Sequence, residues 1–196
     1  MSSVRSAREV ALTVVRRVFE QDAYADRALH AETAGLEARE RGFAMALAYG
    51  TVQRRAALDH VAQKLVSRPL ETLEPGVLAV LRLGLFQLLY LDGVADHAAV
   101  NESVELAKRA SRGGAGLVNA VLRRAAASPA GLLDGLDDRT PAHAAVLHSV
   151  PRWLAELWWR ELGDGEARAL LRRVNEPAES ALRVNTLVAS VEEVQA

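Results

Sequence analysis

The chain has 196 residues, half of them hydrophobic and 5% aromatic, with 24 basic and 25 acidic side chains and a formal net charge of -1. That length buries one good core and the start of a second, and the charge balance excludes a uniformly basic nucleic-acid binder, so any such binding has to come from local clustering. The absence of cysteine excludes a disulfide, a thiolate zinc site and a cysteine nucleophile within these residues.

The first residues carry no apolar run of the signal-peptide kind. Ser6 and Glu9 then form a capping-box pair, and Val10, Ala11, Val14, Val15, Val18 and Phe19 follow at the spacing of one helical face, which predicts a helix from Ser6. Arg16 and Arg17 fall on its other face, with Arg5 and Arg8 at its approach. A weaker helix is predicted over 25–34. The segment 36–66 is helical in composition, with Phe43, Leu47, Val52, Leu58, Val61 and Leu65 as candidate core and Gly50 as the expected bend or break. Pro69 and Pro75 bracket a connector, and Pro75 suits the first position of a helix, where its missing N–H costs nothing. The longest apolar stretch, 77–91, would span about 22 Å as a helix and contains Arg82. It falls short of the ~30 Å hydrocarbon core and reads as a buried core helix.

After Asp92-Gly93, two helices are predicted over 97–110 and 115–127. Asn101 and Asn119 sit among their apolar residues, and a buried amide costs about 1–3 kcal/mol unless hydrogen-bonded, so both are expected to tie helices together. Between residues 106 and 127 there are five cations (Lys108, Arg109, Arg112, Arg123 and Arg124) and no acid, whereas Asp134, Asp137 and Asp138 crowd the next loop. Lysine occurs only at 64 and 108. Arginine's planar fork suits phosphate, although coding bias in a GC-rich genome would give the same preference. The loop Arg112-Gly113-Gly114-Ala115-Gly116 opens a helix whose first N–H groups could hold an anion, or it is a flexible turn. His97 follows Asp96 at a helix start and reads as a capping or surface residue. His143 and His148, five apart, face different sides, so no metal site is expected. No nucleophile elbow or paired base appears, so no catalytic residue is assigned.

Thr140-Pro141 starts a further helix, and Ser149-Val150-Pro151 starts another with Trp153, Leu154, Leu157 and Trp158 on its inner face. Asp164 caps a third that ends near Asn175. Residues 181–187 read as a strand, followed by a second capping box at Ser190 and Glu193. A lone strand needs partners, so the chain reads as a piece of a longer protein that stops where an α/β region begins.

The segments Asp96-His97-Ala98-Ala99-Val100-Asn101-Glu102-Ser103-Val104-Glu105-Leu106-Ala107-Lys108 and Gly116-Leu117-Val118-Asn119-Ala120-Val121-Leu122-Arg123-Arg124 resemble the NusB-like RNA-binding domain. The version they resemble stands at the N-terminus of the RsmB/Sun/Fmu family of rRNA cytosine-C5 methyltransferases. Leu47-Ala48-Tyr49-Gly50-Thr51 and Arg82-Leu83-Gly84-Leu85-Phe86-Gln87-Leu88 are similar to further family segments. Residues 148–154, Asn175-Glu176-Pro177 and Leu182-Arg183-Val184-Asn185-Thr186 are similar to the connector leading into the catalytic half.

The resemblance implies an all-α, NusB-like bundle over 1–130, a helical connector over 131–178 and the start of a methyltransferase-side α/β domain over 179–196. It implies a cytoplasmic protein whose N-terminal part docks small-subunit rRNA, with Arg5, Arg8, Arg16, Lys108, Arg109, Arg112, Arg123 and Arg124 as RNA-binding candidates. Pooling these cations assumes that the first and last helices of the bundle lie side by side. S-adenosylmethionine and the two catalytic cysteines are expected beyond residue 196, with no cofactor in this chain and no activity from it alone. Its partners are then rRNA and its own catalytic domain, with no membrane, and a homodimer stays open. Two other readings also stay open: a NusB-type antitermination factor and a helical protein-interaction module. Antitermination factors commonly carry an acid near the position of Arg123, on the surface that binds a ribosomal protein, and arginine there speaks against that partnership.

Overall fold

A computed structural model describes residues 5–176 and 183–195. The first helix, α1 (Ala7–Gln21), carries the expected capping box: Ser6 Oγ accepts from Glu9 N, and Glu9 Oε2 accepts from Ser6 N at 2.7 Å. Val10, Ala11, Val14 and Val15 are buried, as their spacing required. There follow α2 (Ala25–Glu32), α3 (Ala38–Gln53), α4 (Arg55–Leu65), α5 (Pro75–Tyr90), α6 (Asp96–Ala110) and α7 (Gly114–Ala127). Beyond them lie α8 (Pro141–Leu147), α9 (Arg152–Arg173) and the short α10 (Val191–Gln195). Among the described residues there is no strand. No described helix is long and apolar enough to cross a membrane.

The bundle is organised around α5. Its residues from Gly76 to Gln87 are buried apart from half-buried Leu78, because α1, α3, α4, α6 and α7 all pack against it. Two polar side chains inside this helix are satisfied. Arg82 makes a two-pronged ion pair with Asp59 of α4 (Nε to Oδ1 2.6 Å, Nη2 to Oδ2 2.9 Å) and lies 4.7 Å from the centre of the Phe19 ring. Gln87 donates to Leu83 O at 3.1 Å and accepts from Arg8 Nε at 2.8 Å.

Gly50 does not break its helix as composition suggested. It lies inside α3, and a Cβ there would come within 1.9, 2.4 and 2.7 Å of three Phe86 ring atoms, so glycine is needed for the ring of α5 to seat against α3. The helix breaks instead at Arg54 (φ -102, ψ 20), whose guanidinium stacks 4.2 Å from the Tyr90 ring centre. Gly84 has the same function one crossing away, where a Cβ would meet Leu122 Cδ1 at 2.5 Å.

The connector folds back on α4. Ser149, held in the left-handed region at φ 54, accepts from Ala57 N at 3.0 Å, and Lys64 Nζ donates to Asp134 O at 2.8 Å. Arg172 pairs with Asp138 (2.6 Å) and Asn175 Nδ2 donates to His148 O (2.5 Å). Within α9, Gly163 (φ 80, ψ 166) forms a kink between two arms, in agreement with the two helices predicted there. The inner face is shifted from the expected one: Trp153 is 66% exposed, while Ala155, Leu171, Leu154, Trp158 and Trp159 make the small second core with Ala144, Ala145 and Val150. The buried stripe through 154, 155, 158 and 159 has the same spacing as the expected one through 153, 154, 157 and 158 and is rotated from it by one residue.

The strand expected over 181–187 is not formed in its described part. Positions 181 and 182 lie outside the described residues, 183–185 are irregular, and 186–188 turn back with Asn185 Oδ1 accepting from Leu187 N at 3.1 Å. Leu187 is 95% exposed, with no neighbouring strand among the described residues to pair this segment. The second capping box does form: Ser190 N donates to Glu193 Oε2 at 2.7 Å at the start of α10.

Asp59→Ala strands the buried Arg82 guanidinium and should cost about 3 kcal/mol in urea unfolding, toward the lower end of a broken buried pair because Asp59 is partly exposed. An unchanged midpoint would show that Arg82 has no need of Asp59. His60 and His148 each bury Nε2 without a partner, and burial is the first cause holding both below the ordinary imidazole pKa of 6.5. As pH falls below about 6.5 the unfolded chain takes up protons first. The stability these two residues give at neutral pH is therefore lost as pH falls through their folded values. Tryptophan fluorescence from Trp153, Trp158 and Trp159 should report a lower urea midpoint at about pH 5.5 than at about 7.5. Replacing both histidines with glutamine should flatten that difference.

Candidate nucleic-acid interface

The structure sorts the eight candidate cations into two groups. Four are paired with carboxylates inside the molecule, and a fifth, Arg8, is drawn inward onto neutral groups. Arg5 reaches Glu32 (2.7 Å), a carboxylate it shares with Arg17 (3.1 Å). Arg8 is drawn toward the core, bonded to Gln87 and lying 5.0 Å from the Phe43 ring centre. Arg16 is bidentate on Glu20 (2.7 and 3.0 Å), Lys108 pairs with Glu105 (2.6 Å), and Arg109 pairs with Glu9. The other three keep their charge uncompensated. Arg112 and Arg123 are exposed and make no ion pair among the described residues. Arg124 donates only to Leu65 O, at 3.1 Å, closing the C-terminus of α4.

The first and last helices of the bundle do not lie side by side as the pooled basic set assumed. α1 packs on α2, α3 and α5, whereas α7 packs on α4, α5 and α6, so α5 stands between them. The Arg109–Glu9 pair still ties the end of α6 to α1. Of the eight candidates, those left exposed without a carboxylate among the described residues thus lie on α7 and the loop before it.

The loop differs from an anion cradle. Ser111, itself buried, accepts from Gly113 N at 3.3 Å and Gly114 N at 3.1 Å, so two of the amides that might have held a phosphate are capped internally. Gly114 is glycine because α7 starts against α5: a Cβ there would sit 2.4 Å from Val77 Cγ2.

Asn101 and Asn119 also depart from expectation. Asn101 is exposed and Asn119 half-buried, and neither makes a hydrogen bond among the described residues, so they do not tie helices together. They face a groove of about 510 Å³ between α6 and α7, with Val104, Glu105, Ala115 and Gly116 as its other walls. Asn101 also lines a neighbouring hollow with Asp96, His97 and Arg123, so the two adjoin at Asn101. Gly116, Asn119 and Arg123 stand at i, i+3 and i+7 on one helical face. That spacing was visible in the sequence, but the apolar neighbours on either side suggested burial instead.

Nothing in the sequence signalled a further hollow, of about 600 Å³, between α3, the end of α5 and residues 174–176. Tyr49, Arg54, Phe86 and Tyr90 are among its walls. The crowded carboxylates of the connector are engaged: Asp137 pairs with Arg139 and His143, Asp138 with Arg172. Among the described residues no three His, Asp or Glu side chains are placed to hold a metal ion.

Comparison with known proteins adds independent findings. The NusB family model matches residues 5–127, and the model for the Methyltr_RsmF/B-like, ferredoxin-like domain matches residues 150–196. The chain is 42% identical over 140 residues to the ribosomal RNA small subunit methyltransferase B of Thermus thermophilus, covering 71% of this chain and 31% of that one. It is 33% identical over 187 residues, 94% of this chain and 41% of the other, to the Bacillus subtilis protein named "Probable ribosomal RNA small subunit methyltransferase B". The crystal structure of PH0851 is similar in fold, with a TM-score of 0.65 at 19% identity, over 98% of this chain and 44% of that one. The chain spans about two fifths of the length of curated relatives that it matches nearly end to end.

The sorting of the cations predicts different behaviour for Arg8 and Arg112. Arg8→Ala leaves the buried Gln87 carbonyl without its donor and should lower stability by about 2 kcal/mol. Arg112→Ala should stay within about 0.5 kcal/mol of the parent, as an exposed substitution without partners does. Equal losses in urea unfolding would contradict this division.

Proposed function

From the premise that the chain belongs to the NusB family, we propose that it is the RNA-binding part of an S-adenosylmethionine-dependent small-subunit rRNA cytosine-C5 methyltransferase. One observation carries the RNA-binding half of this reading: Arg112 before α7 and Arg123 and Arg124 near its end have no carboxylate partner among the described residues. Neutralising phosphates releases counter-ions, and this term supplies most sequence-independent affinity for nucleic acid. A cation already paired internally gains much less from a phosphate, because it must first give up its carboxylate.

The methyltransferase half rests on the relatives' names and on the ferredoxin-like match over residues 150–196. Those findings favour an rRNA-modifying protein over a stand-alone antitermination factor. In this reading rRNA is the partner, and the bundle holds it for chemistry performed elsewhere. The chain has no cysteine, so the two catalytic cysteines implied by the family are not among residues 1–196, and S-adenosylmethionine is expected to bind outside them as well.

The test is binding of the chain to small-subunit rRNA stem-loops across a salt series. Neutralising Arg112, Arg123 and Arg124 with glutamine should weaken binding and lower the salt slope by about 2–3, near one for each phosphate left without its arginine. Neutralising Lys108 and Arg109 should do less, because Glu105 and Glu9 already screen them. No binding at low salt, or a triple variant equal to the parent, would contradict the reading. Incubated with labelled S-adenosylmethionine and rRNA, the chain should transfer no methyl group.

A further inference from the structure

We propose that the furrow between α6 and α7 holds an unpaired nucleotide of the RNA, with its base edge on the Asn101 and Asn119 amides and its flanking phosphates on Arg112 and Arg123. This deepens the RNA-binding reading above and rests on it.

The two amides are the starting observation. They line the same groove from opposite helices and have no hydrogen-bond partner among the described residues. Asparagine is a poor helix former, so an unpartnered one in mid-helix costs stability and returns nothing to the fold. A carboxamide offers a donor and an acceptor side by side, which matches the edge of a nucleobase; a paired asparagine reads adenine in this way.

The walls of the furrow suit a flat ring. Ala115 and Gly116 are small, and a Cβ added at Gly116 would meet nothing within 4 Å, so the space above it is open. No large buried apolar socket lies in the groove of the kind that anchors a protein partner's hot-spot side chain.

The charge at its two ends favours a polyanion. Arg112 precedes one end of α7, and Arg123 borders the hollow at the other; Gly116 and Arg123 are separated by about 10 Å of helix. Glu105, on the groove wall, is paired with Lys108 at 2.6 Å and so repels a phosphate little. Asp96 lines the same hollow as Arg123 without forming an ion pair with it, and its carboxylate can accept from an exocyclic amino group. The Arg123 guanidinium offers a plane for stacking a splayed base, which only an unpaired nucleotide can present together with its Watson–Crick edge.

The test compares the whole chain on small-subunit rRNA stem-loops and on the same stems closed as continuous duplexes. Two variants address the furrow: Asn101→Ala with Asn119→Ala, and Gly116→Leu, which fills the open space without touching the core. The parent should prefer stem-loops. Each furrow variant should lose about tenfold in stem-loop affinity and most of that preference, with the salt slope unchanged because every phosphate keeps its arginine. Urea unfolding confirms that both variants fold. Equal binding of stem-loop and duplex by the parent would overturn the furrow proposal, and so would furrow variants that bind like the parent. In either case the RNA-binding reading survives. A parent chain that binds no RNA at low salt overturns both.

Discussion

The enclosure of α5 is the constraint on which the rest depends. A 16-residue helix that is apolar all round cannot leave a face to water, so five other helices have to cover it. Close coverage requires glycine at the crossings: Gly50 under the Phe86 ring, Gly84 under Leu122, and Gly114 against Val77. It also requires a partner for each polar atom carried inside. Asp59 answers Arg82, and Arg8 answers Gln87. The second of these pairings has a functional consequence, because it commits to the core a cation that would otherwise be free for a ligand.

The same enclosure decides which surface is left for binding. α1 faces α2, α3 and α5, and most of its arginines are matched with Glu20, Glu32 or Gln87. α6 and α7 pack on each other and on α5, which leaves their outer faces free along the furrow. Three unmatched arginines, Arg112, Arg123 and Arg124, lie along that edge, on a chain whose overall charge is only -1, while Arg27, Arg39 and Arg68 are exposed elsewhere on the surface without an ion pair among the described residues. Local placement of a few arginines therefore does what bulk composition cannot. The connector, fastened to α4 through Ser149 and Lys64, covers a different side of the bundle.

Features set by local chemistry were legible in the sequence. The Ser6–Glu9 capping box, Pro75 at the first position of α5, the apolar run of α5 and the start and stop of α6 and α7 all rest on neighbours within a few residues. The break before Asp164, where a further helix was expected to start, was legible for the same reason. Features set by distant partners were not. Arg8 meets Gln87 across 79 positions and Arg5 meets Glu32 across 27, so a basic residue destined for internal pairing looks the same in sequence as one left exposed. Gly50 was misread because its role depends on Phe86, which is brought in from another helix. Asn101 and Asn119 were misread because apolar neighbours on a two-sided helix do not reveal which way the intervening amide points. The strand over 181–187 was expected from local pattern alone, and a strand has no stability without a partner.

The central claim is that RNA meets this protein along α7 and its entry loop, not along α1. Amide hydrogen exchange of the chain, free and bound to small-subunit rRNA stem-loops, addresses that claim directly. Slowed exchange or new protection confined to residues 97–105 and 112–124, with α1 unchanged, is the result predicted. Protection centred on residues 5–17, with the α6–α7 edge exchanging as in the free chain, would contradict the account.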